Sequence, residues 1–115
     1  MEKGIICNIS EFNFEINKGD IVHPCVRYSE IPFKGYNWWL VYTPYYDGNS
    51  ELENPILCYG ESLNDAPPTN WKVYKEIVGM PLHGYNSDPV LIFENDNLFI
   101  YWRESNTPRT HKLNY

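Results

Sequence analysis

The sequence predicts an all-β chain: antiparallel, four-stranded, blade-type sheets forming part of a β-propeller, with the second sheet incomplete. Three observations carry this reading. The first is a phrase that occurs twice. His23-Pro24-Cys25-Val26-Arg27-Tyr28 is followed by the apolar run Asn37-Trp38-Trp39-Leu40-Val41-Tyr42, and Asp88-Pro89-Val90-Leu91-Ile92-Phe93 by Asn97-Leu98-Phe99-Ile100-Tyr101-Trp102. Repetition of strand and polar turn at this interval is the signature of a radial β-repeat, whose units bury their faces only against neighbours. The second is aromatic density: ten Tyr, four Trp and five Phe in 115 residues, side chains that favour strands. The third is that no stretch carries an i, i+3, i+4 apolar stripe.

The elements follow in order. Ile5, Cys7 and Ile9, then Phe12, Phe14 and Ile16, alternate loosely and predict one or two strands in a segment spanning 1–19. Asn17-Lys18-Gly19-Asp20 is a turn. The first unit, 20–80, holds strands over Val22–Tyr28, Tyr36–Thr43, Pro55–Tyr59 and Trp71–Ile77. Pro32 and Lys34-Gly35 separate the first pair. Asp47-Gly48-Asn49 marks a long polar loop, and Pro67-Pro68 another. The incomplete second unit, 81–115, holds Pro89–Phe93, the turn Glu94 to Asn97, Leu98–Arg103, and a last strand over His111–Tyr115. The whole is read as one partial domain, 1–115.

Composition narrows the function. The net charge of −6 argues against a nucleic-acid binder, which needs a basic stripe, and offers no polybasic membrane signal. No run reaches transmembrane length, and the N-terminal apolar stretch is short for a signal peptide, so a cytoplasmic or virion-associated place is expected. Cys7, Cys25 and Cys58 form no C-x-x-C pair, which leaves zinc and dithiol chemistry without support. No metal-ligand set is readable, and no cofactor is expected beyond a structural cation. Neutral glycans and other proteins remain as partners.

The candidate site residues come from the repeat. In a radial repeat the first strand of each unit lines the axis, so a carboxylate at its start, Asp88, points toward a shared channel mouth. There it can act as a base, orient a sugar hydroxyl or hold a cation. The plainer alternative is that Asp-Pro simply suits a strand start. His23 occupies the matching position, where it can exchange hydrogen bonds or titrate near neutrality. Glu53 and Asn54, before Pro55, read either as pocket-rim groups or as turn chemistry. Tyr45 and Tyr46 are candidates to stack on a sugar or a partner, whereas Trp38, Trp39 and Tyr42 read as core. Arg103 ends the strand after Asp88 and can clamp a carboxylate or a hydroxyl. Ser62-Leu63-Asn64-Asp65 with Asn70-Trp71 has the look of a degenerate Asp-box hairpin, a structural feature.

The order of these phrases, from His23-Pro24 through Glu53-Asn54-Pro55 and Asn70-Trp71 to Ser87-Asp88-Pro89 and Tyr101-Trp102-Arg103-Glu104, resembles the five-bladed propellers of the family 43 and family 32 glycoside hydrolases, the arabinanase and xylosidase type. The resemblance runs from about Asp20 to Tyr115. It implies a base Asp at the first strand start, a second Asp at the next, and an acid Glu on a later blade. Asp88 matches the second position. His23 stands where the first Asp belongs, which leaves Asp88 and Glu53 as the catalytic candidates and His23, Asn54, Tyr45, Tyr46 and Arg103 as binding candidates. The resulting expectation is a degenerate, carbohydrate-binding propeller segment that does not hydrolyse alone. The alternatives are a glycoside hydrolase fragment completed by further blades, and a phage-type assembly module. A sheet left uncovered predicts self-association, or blades supplied by another chain.

Overall fold

Alternating apolar runs fold, among the described residues, into eight strands: β1 (Asn13–Phe14), β2 (Asp20–Phe33), β3 (Tyr36–Tyr45), β4 (Ile56–Gly60), β5 (Asn70–Glu76), β6 (Tyr85–Glu94), β7 (Asn97–Thr107) and β8 (Thr110–Asn114). This computed structural model describes residues 12–14, 20–45, 53–61, 65–76, 84–107 and 110–114. Among the described residues there is no helix. The all-β expectation therefore holds.

The strands form a five-stranded sheet, ordered β1-β5-β4-β3-β2, and a three-stranded sheet, ordered β6-β7-β8. The expected four-stranded antiparallel unit needs correction here. β1 joins β5 in parallel, pairing Asn13 with Asn70 and Phe14 with Trp71, so the first sheet is mixed. The cause is apolar. Phe12 packs on Trp71 with ring centroids 5.2 Å apart, and Phe14 on Tyr42 at 5.1 Å, covering a face that would otherwise meet water.

β3 is the central strand of the core. Trp38, Leu40 and Tyr42 point to one face and join Ile56, Cys58 and Trp71. Trp39 and Val41 point to the other and join Leu57. Every residue from Trp38 to Pro44 is buried, which suits a strand covered on both sides. The second face is closed by the other sheet. Leu91 is fully buried against Trp39, Val41 and Leu57, with Phe93, Leu98 and Ile100 beside it.

The repeated phrase is a repeated hairpin. In β2 and β3, Cys25 pairs with Val41, Val26 with Leu40, Arg27 with Trp39 and Tyr28 with Trp38. In β6 and β7, Val90 pairs with Tyr101, Leu91 with Ile100, Ile92 with Phe99 and Phe93 with Leu98. Each hairpin closes through two residues of positive φ, Lys34-Gly35 and Asn95-Asp96. That is the turn whose twist matches the flanking strands.

His23 and Asp88 do not start strands, as the sequence reading had them. β2 and β6 run through both, and each residue sits in a bulge, between Val22 and Cys25 or between Ser87 and Val90. Pro24 and Pro89 are tolerated because the ladder is interrupted there. Both bulge residues are left-handed, with φ of 52° at His23 and 53° at Asp88. Such a conformation costs on the order of 1–3 kcal/mol per residue and persists only where its surroundings hold it.

Truncation at the sheet-to-sheet contact should be costly. We expect Leu91→Ala to lower unfolding free energy by about 2–5 kcal/mol in urea denaturation. Ile31→Ala, at a position 63% exposed, should change it by less than about 0.5 kcal/mol.

Candidate functional site

The two bulges bring β2 and β6 side by side at the edges of their sheets, and their left-handed residues meet. His23 Nε2 lies 3.1 Å from Asp88 Oδ1. Asp88 Oδ2 lies 3.1 Å from an Arg103 Nη atom. On the far side of the imidazole, Nδ1 lies 3.2 Å from the Thr43 hydroxyl and 3.8 Å from Glu53 Oε2. The result is a row in which carboxyl groups alternate with nitrogen bases: Glu53, His23, Asp88, Arg103. Three members are partly open, with side chains 42% (His23), 40% (Asp88) and 38% (Arg103) exposed, while Glu53 is only 5% exposed.

Each hairpin holds its bulge residue in the same way. Thr43 on β3 reaches His23, and Arg103, at the corresponding place on β7, reaches Asp88. Arg103 also donates to the Ser87 hydroxyl at 3.1 Å. Thr43 donates to the Val22 carbonyl at 3.3 Å, which leaves its oxygen free to accept from Nδ1. As an imidazolium, His23 can donate Nδ1–H to Thr43 and Nε2–H to Asp88 together. Arg103 Nε is buried and has no hydrogen-bond partner among the described residues, so the guanidinium keeps one donor unused.

Glu53 precedes β4, and burial raises its carboxyl above the ordinary value of 4.5. The nearby His23 charge opposes that rise, Asp88 adds to it, and Arg103 opposes it. The backbone around Glu53 also joins the sheets. Its carbonyl accepts from the Asn86 amide at 3.2 Å, and the Asn86 side chain donates to Asn54 Oδ1 at 2.9 Å.

Of the residues proposed from sequence, the structure brings His23, Glu53, Asp88 and Arg103 into one cluster. Asn54 is placed differently from its expected position on a rim. It is buried, 8% exposed, and its oxygen accepts the inter-sheet bond from Asn86. The backbone of Tyr45 ends β3, while its side chain and all of Tyr46 lie outside the described residues. So do Ser62, Leu63 and Asn64 of the Asp-box-like stretch; Trp71 is a buried core residue. Thr43, Ser87 and Asn86 were not singled out from sequence. Thr43 was recoverable, because it stands in the first hairpin where Arg103 stands in the second. Among the described residues no group of His, Cys, Asp and Glu is arranged to hold a metal ion.

The chain matches no protein-family model, no curated protein and no solved structure.

The raised Glu53 carboxyl sets a pH dependence. As pH rises past 4.5 the unfolded chain gives up this proton first, while the folded chain still holds it. Stability contributed by Glu53 therefore falls as pH climbs from 4.5 through the raised native value. In urea titrations across that window, Glu53→Gln should gain stability relative to the parent as pH increases. A difference that shrinks or stays flat would contradict the assignment.

Proposed function

We propose that this chain is a carbohydrate-recognition segment of glycosidase-like ancestry, which binds a glycan at the His23–Asp88–Arg103 cluster without hydrolysing it. The observation that carries the reading is the partly open row of fixed donors and acceptors over a buried carboxyl. Sugar hydroxyls both donate and accept. A carboxylate held between an imidazole and a guanidinium offers them donors and acceptors without further ordering. The cluster has no concentration of cations that would favour phosphate or nucleic acid.

The same geometry speaks against hydrolysis. An inverting pair needs two carboxyl groups about 6.5–9.5 Å apart with a water between them. Here the His23 ring lies between Glu53 and Asp88 and contacts both, in the place such a water would take. The raised Glu53 has the character of an acid, yet it is buried behind that ring.

Glycan arrays and affinity gels loaded with plant and bacterial polysaccharides test the proposal. Asp88→Asn keeps a residue that accepts left-handed backbone, whereas Ala there adds strain. We expect retention of the parent on at least one glycan, and affinity about tenfold or more weaker in Asp88→Asn, the scale of one lost charged hydrogen bond. No retention on any glycan would discard the reading. Turnover of aryl arabinosides or xylosides, abolished in both Asp88→Asn and Glu53→Gln, would replace binding with catalysis.

A further inference from the structure

The repeated hairpin allows one face of this molecule to be compared with another. On β2 and β3, the face carrying Cys25, Trp39 and Val41 is closed by the three-stranded sheet. The same positions on β6 and β7 are Val90, Phe99 and Tyr101, with Ile92 opposite Phe99. These side chains point away from the five-stranded sheet, since Leu91 and Ile100, next to them in sequence, point toward it. Val90 is 39%, Ile92 42% and Phe99 41% exposed. Three large apolar side chains thus lie together, on a face whose counterpart in the first hairpin is covered by another β-sheet.

We infer that this outer face of the three-stranded sheet is where two copies of the chain associate, face to face about a two-fold axis. Three observations select that occupant. What covers the corresponding face within the chain is itself an apolar sheet face, so the contact continues an interface the molecule already makes. A head-to-tail stack would need the far face of the five-stranded sheet, but Phe12 and Phe14 already pack there on Trp71 and Tyr42. Of the two ways a second copy can cover the patch, the same face is the one left, and self-complementary contacts of this kind are the commonest in homo-oligomers. Charge agrees. Glu94 stands exposed at the turn end of the patch and Arg103 near the other end. An axis running across the strands sets the Glu94 end of one copy over the Arg103 end of the other. The inference rests on the apolar face and shares only Arg103 with the proposed glycan site; Ile92 and Phe99, where it is tested, lie outside that site.

Sedimentation equilibrium on the full chain decides the matter. The expected mass is twice 13.6 kDa at high micromolar concentration. Ile92→Glu and Phe99→Glu should each sediment as monomers with unchanged far-ultraviolet circular dichroism, because these side chains lie at the surface. Glu94→Lys should weaken association severalfold. A second readout does not depend on weakening the contact: a mixture of Val90→Cys and Ile92→Cys chains, which this axis sets opposite one another, should form a disulfide-linked dimer on mild oxidation, and Ile31→Cys should not. A parent that stays monomeric at every concentration, or a dimer that survives both glutamate substitutions, overturns the inference.

Discussion

The structure depends on how two sheet edges meet. β2 and β6 are both edge strands, and their outward backbone groups have no strand to pair with. At Leu91 the problem is sharpest, because its side chain is fully buried and its free amide and carbonyl come with it. The first sheet answers with side chains. The Leu91 amide donates to Cys25 Sγ at 3.3 Å, and its carbonyl accepts from Arg27 Nε at 3.0 Å. An unpartnered buried backbone group costs about as much as a lost hydrogen bond. These two contacts therefore fix the one alignment in which Leu91 can enter the core. Everything near them, including the approach of His23 to Asp88, follows from that alignment.

The polar cluster is a balance between desolvation and pairing. Glu53 is buried enough that burial outweighs the nearby His23 charge. His23 and Asp88 are open enough that water still reaches them, so their pairing is modest in strength, as exposed ion pairs generally are. Geometry gives the cluster its definition. Four strands and a connecting loop contribute, and each charged group touches at least one other. Such a site is built by topology, with the hairpins supplying precision and the pairings supplying little stability.

Much of this was legible from sequence because it is periodic. The doubled His-Pro and Asp-Pro phrases marked the two hairpins, and Trp38, Trp39 and Tyr42 were readable as core. The convergence of His23 with Asp88 was also readable, since equivalent positions of a repeat lie at equivalent places. What escaped was whatever breaks the period. A proline in a strand normally signals its beginning, and a bulge is the exception that sequence does not announce. The parallel addition of β1 was hidden because two residues carry too little pattern. Asn54 was misplaced because its partner, Asn86, is distant in sequence and only the fold joins them. Thr43 carries no signal of its own, because a threonine at a strand end is ordinary and only its alignment with Arg103 marks it.

The left-handed backbone at His23 and Asp88 carries one more implication, for the chemistry open to descendants of this sequence. Apart from glycine, the residues that accept such a conformation with least penalty are Asn, Asp and His. All three are short, polar and able to ligate or exchange protons. The bulge thus works as a filter on variation. Drift at either position is steered among groups that keep a functional character, while aliphatic replacements are disfavoured by the main chain before any ligand is involved. A pair of kinks made to pass a proline through a sheet edge would, on this account, keep a reactive palette at the junction of the two sheets.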